Sequence, residues 1–470
     1  MKAGSRDGEA AAVGAGNGRP EAREGEPELE RAYLIAADVG DDAGWSAEES
    51  LEELAALVET AGAEVVGSTA QRRESIHPLW YLGSGKAEEL KQAKAETHFT
   101  MLVADDELTP KQQRSLEELL KVKVLDRSGI ILDIFAQRAH THEGRIQVEL
   151  AQLEYQLPRL TRLWTHLSRT GGGIGTRRGP GETQLETDRR VIRERIKKTR
   201  ERVDEVRRRR ATAARARERR LLPTMAIVGY TNAGKSTLLN ALVGEEAAVV
   251  EDMLFATLDP TTRRVRLREG QTVIVSDTVG FIHKLPHQLV EAFQATLEEV
   301  TRADVLVEVV DLADARAAEH RRTVQTVLDE LGAGHKPRVV VLNKADLAED
   351  SVVAAGRSGA VVPGRAVPGG ILGRDDRYAL KVSALNGTGI PELRETMATV
   401  LAELWLEVDL TLPYSAGELL ARVRERGTVE FEYRDEDVRI QGRVPPSMAG
   451  DLRRTASAWG RARRARKANG

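Results

Sequence analysis

The 470 residues carry 41% hydrophobic, 30% charged and 4% aromatic side chains, and 70 Lys or Arg against 73 Asp or Glu leave a net charge of −3. That length exceeds the usual single domain, so several cores are expected; no stretch approaches the roughly 18 apolar residues of a membrane span, and Met1 opens a polar segment without the apolar centre of a signal peptide. The absence of cysteine excludes disulfides, thiolate zinc sites and cysteine nucleophiles, and agrees with a cytoplasmic location.

Residues 1–29 hold almost no large apolar side chains and are expected to be a disordered tail. From residue 30 to 139 the pattern predicts an α/β domain. Strands are expected at Tyr33-Leu34-Ile35, Glu64-Val65-Val66, Met101-Leu102-Val103 and Val122 to Leu125, with helices over Ala47 to Thr60 and Pro110 to Leu120. Gly83-Ser84-Gly85-Lys86 lacks the full spacing of a phosphate loop and reads as a strand-to-helix turn.

Residues 140–222 read as a helical hairpin around a Gly-rich tip, Gly171 to Gly181. Ile146, Leu150, Leu153, Leu157, Leu160, Trp164 and Leu167 form a coiled-coil seam matched by Ile192, Ile196, Val203 and Val206, with Thr199 in the middle and Pro158 expected to kink the first helix. The second helix, from about Glu182 to Arg220, would be roughly 55 to 60 Å long, so the hairpin should project as an arm. Residues 189–220 hold 16 Lys or Arg against 5 Asp or Glu, a net +11 that points to nucleic-acid phosphate. Candidate RNA contacts are Arg177 and Arg178 at the tip and Arg189 and Arg190 behind it. His140 and His142 lack partners at metal-ligand spacing, and Glu182, Glu186 and Asp188 sit where a helix start favours acids anyway.

Residues 223–404 carry the chemistry. The run Met225-Ala226-Ile227-Val228 leads into Gly229-Tyr230-Thr231-Asn232-Ala233-Gly234-Lys235-Ser236 and then a helix, which is GxxxxGKS in its strand, loop and helix context. Such a loop points backbone N–H groups at a phosphate, with Lys235 on the β- and γ-phosphates and Ser236 on Mg²⁺. Phe255-Ala256-Thr257-Leu258-Asp259 places Thr257 as second Mg²⁺ ligand and γ-phosphate sensor. In Asp277-Thr278-Val279-Gly280 the aspartate would hold a metal-bound water and the Gly280 N–H would meet the γ-phosphate. Within Asn343-Lys344-Ala345-Asp346, Asp346 can accept both N1–H and N2–H of guanine, a donor pair adenine lacks. Ser383-Ala384-Leu385 can offer a backbone N–H to the guanine O6. Catalytic weight is expected on Lys235, Thr257 and Gly280. Phe281 stands where many small GTPases carry a water-orienting glutamine, so intrinsic hydrolysis should be slow.

The fold expected is α/β: a P-loop GTPase domain with an N-terminal α/β domain, a projecting antiparallel hairpin and, over 405–470, a small α+β domain with strands at Val408 to Leu412 and Val429 to Tyr433. The basic run Arg453 to Lys467 equally suits a disordered tail. Ala355 to Gly373 reads as an insertion.

Three segments carry a family resemblance: Leu125-Asp126-Arg127 with Leu132 to Ala139, Gly172 to Arg190 (GGIGTRRGPGETQLETDRR), and Phe255 to Pro260 (FATLDP). Over roughly residues 31 to 440 the chain resembles HflX. The resemblance implies a cytoplasmic GTPase associated with the large ribosomal subunit and its rRNA through the helical arm, binding GTP and GDP with Mg²⁺, and splitting or rescuing ribosomes under stress. It also implies that the ribosome stimulates hydrolysis. A monomer is expected. An alternative is a nucleotide-controlled RNA-binding factor that acts as a timer in large-subunit assembly. Asn232 matches the asparagine with which resembling K⁺-activated GTPases hold potassium, so K⁺ is a candidate second cofactor.

Overall fold

The computed structural model describes residues 29–40, 44–160, 180–218, 222–244, 254–267, 271–286, 294–347, 360–361, 371–372 and 376–468. The N-terminal sheet has the order β2-β1-β3-β4, built from β1 (Arg31–Asp38), β2 (Glu64–Arg72), β3 (Met101–Ala104) and β4 (Lys123–Asp126), all parallel. Helices α1 (Ala47–Thr60), α2 (Ser84–Thr97), α3 (Pro110–Leu120) and α4 (Arg127–Arg138) complete it. Both α1 and α3 begin at capping boxes, Ser46 with Glu49 and Thr109 with Gln112, which satisfy the otherwise orphaned first-turn N–H groups. Gly83 is the N-cap of α2, as the strand-to-helix reading expected.

The hairpin pairs α5 (His142–Arg159) with α6 (Pro180–Glu218). Ile146, Leu150, Leu153, Ile196 and Val203 bury a common seam, with Leu157 and Ile192 at its margin, and the Thr199 side chain is buried between them. Pro158 is the penultimate residue of α5 rather than a mid-helix kink. At about 1.5 Å per residue, the 39 residues of α6 extend roughly 58 Å. Trp164, Leu167 and the tip, with Arg177 and Arg178, lie outside the described residues.

The central sheet has the order β10-β11-β9-β8-β5-β7-β6. Its strands are β5 (Thr224–Gly229), β6 (Thr261–Arg266), β7 (Thr272–Asp277), β8 (Val305–Asp311), β9 (Arg338–Asn343), β10 (Ala360–Val361) and β11 (Ala379–Lys381). Pairing is parallel except at the two edges, where β6 and β10 run antiparallel to their neighbours. Strands β5, β8 and β9 are almost continuously buried apolar runs, as a sheet covered on both faces requires. Among the described residues four helices cover it: α7 (Lys235–Val243), α8 (Gln294–Arg302), α9 (Ala317–Glu330) and α10 (Ile390–Glu403).

The C-terminal unit is an antiparallel sheet β12-β14-β13, formed by β12 (Leu406–Pro413), β13 (Thr428–Tyr433) and β14 (Asp437–Val444), under helices α11 (Gly417–Arg426) and α12 (Pro446–Ala468). The basic run is therefore helical. Met448, Ala449 and Leu452 pin α12 to the core of this sheet.

Candidate functional site

Strand β5 delivers the Gly-rich loop and α7 leaves it. Gly229 has φ 154° and a side chain there would sit 2.3 Å from the Val309 carbonyl; at Gly234, φ 88°, it would sit 2.3 Å from Asn343 Nδ2. Only glycine fits both places. Asn232 also adopts the left-handed conformation, with φ 57°. Lys235 begins α7 and donates to the Tyr230 carbonyl at 2.7 Å. Burial pushes its ammonium pKa down to about 8. A side chain at Gly280 would lie 2.9 Å from Lys235 Nζ and 2.8 Å from Thr231 Cα, so glycine is what lets this turn approach the loop.

Beside the loop three oxygens converge. Ser236 Oγ donates to Asp277 Oδ2 at 2.6 Å and lies 2.6 Å from Thr257 Oγ1. Asp277 Oδ1 is buried and has no protein partner. Burial pushes the Asp277 carboxyl up, against hydrogen bonds from Ser236 and the pull of Lys235. A partly buried, oxygen-only donor set with an orphaned, buried carboxylate oxygen fits a small hard dication. Thr278 is turned away, its hydroxyl donating to the Ile227 carbonyl at 2.7 Å.

The second half of the site is assembled on β9 and β11. Asn343 Nδ2 donates to the Ala233 carbonyl at 2.9 Å, and its Oδ1 accepts the Ala384 N–H at 3.0 Å. One amide thus ties the Gly-rich loop to the Ser383-Ala384-Leu385 turn. Ser383 Oγ donates to Asp346 Oδ1 at 2.5 Å, and Lys344, φ 59°, pairs with Asp311 at 2.7 Å. Leu385 stands exposed at the rim. The five motifs found in the sequence therefore meet along one edge of the sheet, at the carboxyl ends of its strands, where open α/β sheets bind ligands.

Sequence reasoning missed what holds this edge from outside. Tyr230, inside the Gly-rich loop, donates its hydroxyl to Glu53 of α1, accepts the His283 N–H at 2.7 Å and stacks on His320 with ring centroids 3.9 Å apart. Glu53 in turn receives Arg127 Nη1 at 2.6 Å, and the same nitrogen reaches the His283 carbonyl at 3.2 Å. Arg127 is fully buried and spends its remaining donors on Asp105 and Ser50. Burial alone would lower its pKa; Asp105 and Glu53 reverse that and hold it charged. Lys284 closes the cluster with 2.7 Å pairs to Asp105 and Asp106. The carboxyl ends of the N-terminal strands, where such a sheet would take a ligand, are thus filled by the segment after Gly280. Phe281 is a buried core residue bridged to the loop by Thr231 N–H to its carbonyl at 2.8 Å and its own N–H to Gly229 at 3.1 Å, and its side chain faces no phosphate chemistry.

The Thr257 loop is held in the same way. Two residues on, the Asp259 carboxylate accepts the Thr141 N–H at 2.8 Å, the His140 N–H at 3.1 Å and the Thr141 hydroxyl at 2.5 Å, at the N-terminus of α5. Phe255 packs edge-on against Phe135 of α4, and Leu258 is buried beside it, while Ala256 is partly exposed. Val279 is buried in the same core. Of the described candidate RNA contacts, Arg190 is exposed, but Arg189 donates to the Leu160 carbonyl at 3.1 Å and closes the end of α5.

A Gly-rich strand-to-helix loop, an oxygen cluster from two further segments and a carboxylate-bearing turn at the far end of one sheet edge define a P-loop GTPase. Family models agree along the chain: "GTP-binding GTPase N-terminal" over residues 48–136, "GTP-binding GTPase Middle Region" over 138–217 and "50S ribosome-binding GTPase" over 224–344. The chain is 45% identical to GTPase HflX of Caldanaerobacter subterraneus, covering 90% of this chain and 93% of that one, and 43% identical to GTPase HflX of Escherichia coli, covering 84% and 90%. It belongs to the HflX family of GTPases. Among solved structures it is similar to a crystal structure of an SsGBP and GDP complex at 24% identity, with 80% of this chain and 99% of that one covered and a TM-score of 0.43. No helix among the described residues is long and apolar enough to cross a membrane.

Proposed function

We propose that this GTPase binds the large ribosomal subunit through its helical arm and rRNA, and that GTP binding and hydrolysis drive it to split or rescue ribosomes under stress. The observation that carries the reading is the Asp259 contact, because it joins the loop bearing Thr257 to the base of the arm. The net +11 over residues 189–220 supplies the affinity for phosphate, although Arg195, Arg200 and Arg202 also pair with Glu149 and Glu154 of α5. The family description "50S ribosome-binding GTPase" supports the same partner.

In this reading Lys235 would hold the β- and γ-phosphates, and Ser236 and Thr257, with Asp277 beside them, would hold Mg²⁺. Gly280 offers its N–H to the γ-phosphate, and Asp346 reads guanine while Ala384 or Leu385 offers N–H to O6. The metal would neutralise charge on the transferred phosphoryl group. Asn232 supplies an oxygen for K⁺; equal turnover in potassium and sodium at matched ionic strength would remove that cation from the mechanism.

The experiment is pelleting with large subunits in GTP, GDP and a non-hydrolysable analogue, followed by a subunit-splitting assay on intact ribosomes. Retention in the GTP state with GTP-dependent splitting is expected. Retention without splitting favours the assembly-timer alternative, and no retention in any nucleotide state refutes both.

A further inference from the structure

We propose that the outer stripe of α12 is a second phosphate-binding surface, separate from the arm, that grips an RNA backbone. From Leu452 to the last residue there are seven Lys or Arg and no Asp or Glu. The helix is anchored by one face only: Met448, Ala449 and Leu452 are buried on the C-terminal sheet, Ala456 packs beside them, and Trp459 and Arg463 both bond to buried Asp437. At 100° per residue, Arg453, Arg454, Arg461 and Arg464 then fall together on the opposite side, and all four are exposed. Between Arg453 and Arg464 the stripe runs about 17 Å, and Ser457, the residue that falls among its arginines, is small and exposed and lets a backbone come close.

A solvated helix face carries mixed charge, and the other face of this same unit shows what that looks like. On the open side of the sheet Arg439 pairs with Asp409 and Glu432, Arg443 with Glu407 and Arg434 with Glu432. On the α12 stripe, among the described residues, Arg454 pairs with Asp451 while Arg453, Arg461 and Arg464 form no ion pair. Three cations held on a fixed scaffold without counter-charges complement a polyanion. An anionic membrane is the other polyanion a basic helix can meet, but membrane-surface helices insert an apolar face. Here that face is already spent on the sheet, so RNA is the partner the chemistry selects.

The inference extends the reading of the chain as an RNA-associated GTPase and rests on it. The test compares the full chain with two triple variants, Arg453→Gln/Arg461→Gln/Arg464→Gln on α12 and Arg434→Gln/Arg439→Gln/Arg443→Gln on the open sheet face, the latter removing equal charge. Binding to a fluorescent RNA hairpin is followed by anisotropy across a salt series, with vesicles of phosphatidylglycerol as a parallel probe. Every phosphate that is no longer neutralised lowers the slope of log K against log salt by about 0.9, so the α12 variant should show a slope smaller by about 2 to 3 and an affinity at least tenfold weaker, while the sheet variant stays near the parent. An unchanged slope in the α12 variant, an equal weakening in both variants, or α12-dependent binding to vesicles with RNA binding intact overturns the proposal. A parent chain that shows no salt-dependent RNA binding overturns it together with the ribosomal reading.

Discussion

Replacing Asp259 by Ala isolates the link between the Thr257 loop and the arm. The carboxylate accepts three hydrogen bonds at the start of α5, and a hydrogen bond to an ionised group contributes about 1.5 to 3 kcal/mol. Because the site is partly exposed, a net loss of about 2 kcal/mol is the reasonable expectation for the whole interaction. Helix α5 should survive, since the Thr141 hydroxyl still caps it through the Gly144 N–H at 3.0 Å. The loss therefore falls on the loop conformation in which Thr257 approaches Ser236. On the proposed reading a triphosphate with its metal draws on that conformation and a diphosphate does not, so affinity for a GTP analogue should fall about 30-fold and affinity for GDP should hardly change. Fluorescent-nucleotide titration measures both. Equal weakening for the two nucleotides, or none for the analogue, would show that Asp259 does not hold the loop.

Asp346→Asn should remove the acceptor for guanine's two donors and shift preference to xanthine nucleotide at a cost of about 3 kcal/mol or more in GTP binding; competition binding reads it, and undiminished GTP affinity refutes the assignment. Burial holds nucleotide-free Lys235 near pKa 8, so phosphate binding raises its pKa and must draw in a proton. Calorimetry in buffers of different ionisation enthalpy at pH 8 should find uptake of about half a proton per GDP, with affinity falling as pH rises above 8; zero uptake contradicts the coupling. Tyr230→Phe should leave the Glu53 oxygen and the His283 N–H without their partner, a cost of about 1 to 3 kcal/mol, visible as a melting point several degrees lower; an unchanged melting point would mean the hydroxyl is not holding the two sides together.

What can be read from the sequence is local chemistry. The α1 and α3 boundaries follow from caps within four residues of the helix start, and the phosphate and guanine motifs are contiguous stretches at strand ends. The Arg127 cluster cannot be read that way. Its members come from five segments, Tyr230 and Glu53 being 177 positions apart, and no period in the chain links them. The one local signal is Leu125-Asp126-Arg127, where a strand ends in an acid and a base: Asp126 caps α4 and Arg127 turns inward. Strand β14 carries the alternation of a half-buried strand, with Val438, Ile440 and Val444 inward against Arg439, Gln441 and Arg443, but Gly442 stands where an apolar residue would complete the period and breaks the signal. Helix α12 is ambiguous between helix and tail because its apolar face is thin, carried by Met448, Leu452 and small alanines.

The Asp259 bridge has a thermodynamic side. A contact shared by a nucleotide loop and an arm obeys reciprocity: the factor by which GTP strengthens the arm's hold on a partner equals the factor by which that partner strengthens the hold on GTP. On the proposed reading, a partner seated far along α6 would act on the nucleotide without placing a single group in the phosphate cleft. It needs only to favour one setting of the His140-Thr141 turn, and the carboxylate two residues beyond Thr257 carries that preference into the site.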